Sequence, residues 1–211
     1  MKVVCGLGNP GEQYARTRHN VGFLAVEFFA EPLSAQWTRK HSARVARVRV
    51  QREDVLLVEP QTFMNLSGLA VAEVVRFHRV PEPDLLVVHD DADLPFGRLR
   101  MQAGGGDGGH KGVQSVVSAL GASGFARLRI GIGRPRDSER GLTDHVLSGF
   151  EPEEWERLGE VLRQASLGIE DWLLGGVPRA QNRVNRRERP VRKPSCREPV
   201  DSRPSDRKED A

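Results

Sequence analysis

Apolar and polar residues alternate along this chain with two different periods, which predict strands in some segments and helices in others. Short apolar runs at residues 3–5 and 84–89 predict buried strands, and the alternation of apolar and basic residues at 43–50 predicts a half-exposed strand. Other strands are predicted at residues 54–59, 98–101 and 125–132. Apolar residues at helical spacing predict helices at residues 21–29, 64–80, 113–120 and 151–174.

Strands and helices follow one another along the chain, an order that favours an α/β fold. We expect a single domain over residues 1–185, with a twisted mixed β-sheet sandwiched between α-helices. The sheet is expected to be mixed because the strands at 43–50 and 54–59 are close enough in sequence to form an antiparallel hairpin. Residues 186–211 have few apolar residues and four prolines, so they are predicted to form a disordered basic tail.

Composition narrows the class of protein but does not indicate a partner. The formal net charge is +3, and residues 184–211 account for all of it with nine Lys/Arg and six Asp/Glu. The rest of the chain is neutral, so bulk charge does not point to nucleic acid. Apolar runs are too short for a membrane span or a signal peptide, and Cys5 and Cys196 suggest neither a disulfide framework nor a zinc site. We therefore expect a cytoplasmic protein that does not enter a membrane.

The segment GLGNPGEQYARTRHN, residues 6–20, is predicted to be a loop at the end of the first strand. Loops in this position often bind ligands in open α/β sheets. This one carries Asn9, His19 and Asn20, whose side chains donate and accept hydrogen bonds, and His19 is a candidate general base near neutral pH. The alternative from these residues alone is that Asn9 caps a turn and His19 is an ordinary surface histidine.

Two segments match the pattern GxGxxG, at residues 6–11 and 104–109. The first is interrupted by Pro10 and lacks an acidic residue at the end of a second strand, so it does not favour dinucleotide binding. The second precedes a predicted helix and lacks the Lys-Ser/Thr pair of a P-loop. Its backbone N–H groups and the helix N-terminus could bind a phosphate, or the segment is a surface loop.

An acidic cluster of Asp90, Asp91 and Asp93 follows the predicted interior strand. A metal site is disfavoured because neither a matching carboxylate cluster nor the glycine spacing of a calcium loop accompanies it. We instead expect Asp90 to accept a hydrogen bond from His19 and so to fix the tautomer of its imidazole. Asn65 either caps the next helix or adds a second amide to the same cleft. The sequence has no G-x-S-x-G elbow, so water is the expected nucleophile of a hydrolase built this way.

Five segments together resemble bacterial-type peptidyl-tRNA hydrolases: GLGNPGEQYARTRHNVG, QTFMNLSG, VVHDDADLPFG, GGGDGGHKG and FARLRIGIGRP. The resemblance implies hydrolysis of the ester that joins a peptide to the 3′-terminal ribose of tRNA, which recycles tRNA from peptidyl-tRNA that ribosomes release prematurely. It also implies a monomeric enzyme with neither a metal nor another cofactor. The implied partner is the acceptor stem and 3′ end of peptidyl-tRNA.

The same resemblance assigns roles to particular residues. It implies that His19 is the catalytic base and that Asp90 is the carboxylate that orients it. Arginines among the aligned positions are implied to contact tRNA phosphates, and such contacts position a nucleic acid without reading its sequence. The residues that the resemblance assigns to substrate or tRNA binding are Asn9, Tyr14, Met64, Asn65, Arg100, Lys111 and Arg129.

Lys111 stands where the family usually has asparagine. A lysine donates hydrogen bonds but accepts none, and its charge could meet a phosphate or a developing oxyanion. We expect activity to survive this difference because the base, its carboxylate and two amides remain. Lys111 is also the feature that favours the main alternative, a non-catalytic RNA-binding relative of the same fold. A small-molecule esterase is a third class, and the missing nucleophile elbow disfavours it.

Overall fold

The structure is a computed structural model, and it describes residues 1–135 and 141–185. The predicted tail at residues 186–211 lies outside these described residues. The strands are β1 (Lys2–Gly6), β2 (Thr38–Lys40), β3 (Ala43–Val50), β4 (Glu53–Pro60), β5 (Leu85–Asp91), β6 (Leu99–Ala103) and β7 (Ala126–Gly131). The α-helices are α1 (Val21–Ala30), α2 (Ser67–Phe77), α3 (Lys111–Leu120), α4 (Leu142–Leu147) and α5 (Pro152–Val184).

All these strands join one sheet in the order β2-β3-β4-β1-β5-β7-β6. Strands β4, β1, β5 and β7 run parallel, whereas β3 is antiparallel to both β2 and β4, and β6 is antiparallel to β7. The predicted hairpin is present between β3 and β4, with Val45 opposite Val58. The predicted mixed sheet is therefore confirmed, and the carboxyl ends of its parallel strands lie along one edge.

Helices cover both faces of the sheet, as predicted for an α/β sandwich. Helices α1 and α5 pack on one face, in a core that includes Val26 and Trp172. Helices α2 and α3 pack on the other, in a core that includes Val71 and Val116. Among the described residues, the helices all fall short of the length and apolar character that a bilayer crossing requires.

Three elements differ from the sequence predictions, each for a local reason. Strand β2 consists of three exposed residues at the sheet edge, so no apolar pattern marks it. Helix α4 is six residues long and contains no buried residue, which leaves its period undetectable. Helix α5 extends beyond the predicted end at residue 174. Its backbone leaves helical geometry at Gly175 and Gly176, and the helix then continues to Val184.

Two glycines allow α1 to approach the ends of β1 and β5 closely. A Cβ at Gly22 would lie 2.5 Å from the carbonyl oxygens of both Leu7 and Val88, and a Cβ at Gly6 would lie 2.4 Å from the carbonyl oxygen of Gly22. Such distances are shorter than van der Waals contact, so only glycine fits without a shift of the backbone. The segment just before α1, which carries His19, is thereby brought beside the carboxyl end of β5.

Candidate active site

Asp90 lies near the end of β5 and is the centre of a buried cluster. Its side chain is 3% exposed. The carboxylate oxygen Oδ1 lies 2.8 Å from Nδ1 of His19 and 2.8 Å from Nε2 of His110. The centroids of the two imidazole rings are 5.0 Å apart. The predicted contact between His19 and Asp90 is therefore present, and His110 is a second partner that the sequence analysis did not assign.

Backbone hydrogen bonds fix the tautomer of His110. Its Nδ1 accepts from the N–H groups of Gly112, at 3.1 Å, and Val113, at 3.2 Å, and so caps the N-terminus of α3. A ring nitrogen that accepts a hydrogen bond is unprotonated, so the proton of this ring lies on Nε2 and is donated to Asp90. The same two N–H groups are no longer available to a phosphate, which argues against the phosphate-binding interpretation of this helix N-terminus.

His19 is held in place by its two neighbours in sequence, which are both buried. Arg18 forms an ion pair with Glu154 at 2.5 Å. The Asn20 side chain exchanges two hydrogen bonds with the backbone of Asn9, at 2.8 and 2.9 Å. Because Nδ1 of His19 faces a carboxylate that only accepts, the proton of the neutral ring lies on Nδ1, and Nε2 keeps its lone pair.

The carboxyl of Asp90 is ionised in spite of its burial. Burial raises the pKa of this group, but the electrostatic attraction and hydrogen bond of His110, with the hydrogen bond of His19, outweigh that effect and hold the pKa well below its usual value. The preceding residue, His89, is also buried, and burial and repulsion from His110 lower its pKa to about 3. The ring of His89 is therefore neutral beside an ionised Asp90.

A cleft of about 740 Å³ opens beside His19 and is lined by two asparagines. Oδ1 of Asn9 accepts a hydrogen bond of 2.8 Å from the backbone N–H of Met64, and its amide nitrogen has no partner among the described residues. Asn65 is exposed in a short turn of 3-10 helix, Met64–Leu66. It does not cap α2, because Leu66 occupies the cap position. Both amides therefore lie in the cleft, which for Asn65 is the second of the two alternatives that the sequence left open.

The two walls of the cleft differ in character. On the α2 wall, the rings of Tyr14 and Phe63 meet edge to face with centroids 6.5 Å apart. On the sheet wall, Arg129 forms an ion pair with Asp91, and Arg100 lies opposite Arg129 in the ladder of β6 and β7. Arg100 is exposed, lies outside the cleft lining and has no carboxylate partner within residues 1–135 and 141–185. The two arginines predicted to bind tRNA are thus neighbours across the β6–β7 pair, with Arg129 in the cleft lining and Arg100 just outside it.

Arg127 is a cleft residue that the sequence analysis did not assign. It lies on the same face of β7 as Arg129, but it is 1% exposed. Its guanidinium donates to the carbonyl oxygens of Gly105, at 2.7 Å, and Gly106, at 2.5 Å. This buried cation therefore holds the glycine-rich loop against the sheet, next to the helix that His110 caps.

One atom each from His19, Asp90 and His110 could act as a metal ligand, and the three atoms lie within 4.8 Å of one another. A cation bound by all three would need both ring nitrogens unprotonated. The backbone contacts of His110 instead place its proton on Nε2, the atom that faces Asp90. Hydrogen bonds therefore account for the arrangement without a metal ion.

Fold and site together define an α/β enzyme with an imidazole–carboxylate pair in an open cleft. A family model described as peptidyl-tRNA hydrolase matches residues 3–192. Relatives named peptidyl-tRNA hydrolase from Desulfitobacterium hafniense and Deinococcus deserti are 44% and 45% identical over 88% of this chain, and they are covered over 100% and 85% of their own lengths. A crystal structure of the peptidyl-tRNA hydrolase from Acinetobacter baumannii has a TM-score of 0.82 at 35% identity, with 88% of this chain and 94% of that chain covered.

The chain belongs to the peptidyl-tRNA hydrolase family. The resemblance carried by the five segments is confirmed, and so is the predicted α/β fold. The activity is hydrolysis of peptidyl-tRNA, an assignment that favours an enzyme over the non-catalytic and small-ester alternatives.

Proposed function

We propose that this cleft hydrolyses the ester between a peptide and the 3′-terminal ribose of tRNA, with His19 as general base and water as nucleophile. Nε2 of His19 takes a proton from the water while the water oxygen attacks the ester carbonyl. The ester C–O bond then breaks, and the ribose oxygen leaves with the proton returned by the ring. The observation that carries this mechanism is the 2.8 Å contact between Nδ1 of His19 and Asp90, because it commits Nδ1 and leaves Nε2 as the base.

Asp90 has two roles in this proposal. Its carboxylate selects the tautomer of His19 and stabilises the imidazolium that forms during proton transfer. The hydrogen bond from His110 supports both roles because it keeps the carboxylate oriented and ionised. His110 therefore acts through Asp90 and does not itself contact the reacting atoms.

Substrate positioning is assigned to residues that line the cleft or flank it. The Asn9 amide nitrogen can donate to the substrate carbonyl oxygen as negative charge develops there. Asn65 and Lys111 add exposed donors at the cleft, and Met64 orients Asn9 through its backbone N–H. Three further residues complete the proposed site: Tyr14 on the α2 wall, Arg129 on the sheet wall, and Arg100 beside that wall, where arginines can contact phosphates of the acceptor stem.

The proposed reaction is independent of metal ions. Support comes from the His19–Asp90–His110 cluster, whose polar contacts are explained by hydrogen bonds. Dialysis against a strong chelator should leave kcat/KM unchanged when the tRNA substrate is kept folded with monovalent salt. A loss of activity that zinc or manganese restores would contradict this part of the proposal.

The working form is proposed to be a cytoplasmic monomer. Every residue assigned to the site comes from one chain, so a partner subunit is not needed to complete the cleft. Sedimentation of the purified protein at the concentration of the assay checks the monomer directly.

Release of tRNA from N-acetyl-aminoacyl-tRNA tests the proposal. His19→Ala should lower kcat/KM on the order of 10²–10⁴-fold, the usual contribution of a general base. His78→Ala removes a partly buried histidine outside the cleft and should leave the rate unchanged. Near-normal turnover by His19→Ala would remove His19 from the mechanism. Binding of the tRNA substrate by the wild type without any release would instead support the RNA-binding alternative that Lys111 favours.

A further inference from the structure

Three exposed apolar side chains lie side by side at the rim of the cleft. Phe63 is 57% exposed, Leu66 is 45% exposed and Leu69 is 61% exposed. The backbone N–H of Leu66 bonds to the carbonyl oxygen of Phe63 at 2.8 Å, and Leu66 and Leu69 are three residues apart, so each side chain neighbours the next. We call Phe63, Leu66 and Leu69 the apolar shelf.

The apolar shelf is continuous with the proposed active site. Phe63 itself lines the cleft and contacts the ring of Tyr14. Met64 and Asn65, between Phe63 and Leu66, also line it. Leu66, at the N-cap of α2, and Leu69, in its first turn, lie outside the lining. A chain leaving the cleft over Phe63 would therefore meet Leu66 and Leu69 next.

Charge separates this shelf from the opposite wall. Residues 61–72, QTFMNLSGLAVA, contain neither an acidic nor a basic residue. The sheet wall, by contrast, carries charges of both signs, with Arg129 paired to Asp91 and Arg134 paired to Asp93. Beside this wall, Arg100 is exposed without a carboxylate partner in the described part of the chain. A polyanion gains nothing from the shelf, whereas apolar side chains gain from covering it.

We infer that the apolar shelf binds the peptide arm of the substrate, so that residues beyond the ester-linked one cross Phe63, Leu66 and Leu69 as the tRNA arm leaves over the sheet wall. This inference rests on the proposed function, since the ester at His19 joins the two arms. An extended peptide advances about 3.3 Å per residue, and Leu69 lies about 4.5 Å along the helix from Leu66. The shelf therefore contacts roughly the second to fourth residues from the ester, and it selects apolar ones.

Three substrates distinguish an effect on peptide binding at the shelf from an effect on catalysis. They are N-acetyl-alanyl-tRNA, N-acetyl-trileucyl-alanyl-tRNA and N-acetyl-triseryl-alanyl-tRNA. All three present the same ester and the same first residue to the cleft. The wild type should cleave the trileucyl substrate with a higher kcat/KM than the triseryl one. Leu69→Ser should lower kcat/KM for the trileucyl substrate roughly three- to fivefold, as expected for losing part of a buried leucine contact. It should leave the alanyl substrate unchanged.

Phe77→Ser is the matched control. Phe77 is 66% exposed at the end of α2, about 12 Å beyond Leu69 along the helix. It should leave all three substrates unchanged. Leu142→Ser tests the competing path, because Leu142 is 47% exposed on α4 at the other side of the cleft.

The inference is overturned if Leu69→Ser leaves kcat/KM for the trileucyl substrate unchanged, or lowers kcat/KM for all three substrates equally. A selective loss on the trileucyl substrate in Leu142→Ser, and not in Leu69→Ser, would overturn it as well. It is also overturned if the wild type sediments as a dimer that Leu69→Ser dissociates without changing the ratio of trileucyl to alanyl rates. Failure of the wild type to cleave any of the three substrates is a different result, which would refute the proposed function itself.

Discussion

Two buried carboxyl groups lie near the ends of parallel strands, and their pKa values are shifted in opposite directions. Asp90, near the end of β5, accepts hydrogen bonds from two imidazoles, and its pKa is held well below the usual value. Glu59, near the end of β4, is fully buried, and neither of its oxygens accepts a hydrogen bond from the described residues. Burial and the charge of Glu27 raise the pKa of Glu59 to about 8.

The contrast shows that burial alone does not decide the charge of a carboxyl group. Arg44 has Nη1 3.0 Å from Oε2 of Glu59, yet it is not aligned to donate, and its charge only partly offsets the effect of burial. At Asp90, two aligned donors prevail over a similar burial. A carboxylate that must stay ionised beside His19 therefore needs the second imidazole, which a surface carboxylate would not need.

The largest effect on this comparison is expected from Asp90→Asn. Both imidazoles contact the same oxygen, Oδ1, so an amide oxygen in its place can still accept from both rings, but it carries no negative charge. The variant therefore loses the charge that stabilises the imidazolium of His19, and kcat/KM should fall on the order of 10²–10⁴-fold. Asp93→Asn, on an exposed carboxylate that pairs with Arg134, is the matched control in the tRNA-release assay. A variant that keeps more than a tenth of wild-type activity would argue against Asp90 as the orienting group.

A smaller effect is expected from His110→Ala. A hydrogen bond to a charged group is worth about 1.5–3 kcal/mol, so losing the one to Asp90 should lower kcat/KM roughly 10- to 100-fold. The loss of the N-cap of α3 should also reduce the free energy of unfolding by about 1 kcal/mol. Urea unfolding and tRNA release measured on the same preparation separate the two effects. Unchanged turnover in the folded variant would show that Asp90 does not need its second partner.

The smallest effect on catalysis is expected from Glu59→Gln, which should change stability and leave turnover unaltered. The pKa of Glu59 is raised in the folded state, from about 4.5 to about 8, so its stabilising contribution is complete below about pH 4.5 and is lost as the pH rises through about 8. The wild type should lose at most about 1.4 kcal/mol of unfolding free energy per pH unit in that window because of this residue. Glu59→Gln cannot ionise, so urea unfolding should show a flatter pH dependence. An unchanged pH dependence would mean that Glu59 titrates normally.

Much of the fold could be predicted from period and spacing, because most elements bury apolar side chains on a regular pattern. The antiparallel hairpin of β3 and β4 and the interior strand β5 are examples. Elements without a buried face, such as β2 and α4, gave no such pattern. The continuation of α5 beyond residue 174 depends on backbone geometry at Gly175 and Gly176. In the sequence, a pair of glycines indicates only that a helix ends there.

The candidate site could be predicted only in part. His19 lies in the loop after β1 and Asp90 lies near the end of β5, and those positions indicated their contact. His110 was missed because a glycine-rich loop carries it back to β5 from the end of β6, a return path that no local pattern specifies. A histidine directly before a helix was the available signal, since its Nδ1 serves as the cap of α3. Arg127 was missed because a buried arginine whose partners are carbonyl oxygens resembles an exposed one in sequence.

The central claim is that Nδ1 of His19 carries the ring proton and Nε2 carries the lone pair. Nitrogen-15 NMR of histidine-labelled protein at neutral pH reads the tautomer of each ring, with His19→Gln and His110→Gln used to assign the signals. The account predicts the Nδ1–H tautomer for His19 and the Nε2–H tautomer for His110. An Nε2–H tautomer for His19 would contradict the account, because the nitrogen proposed to take a proton from water would already hold one.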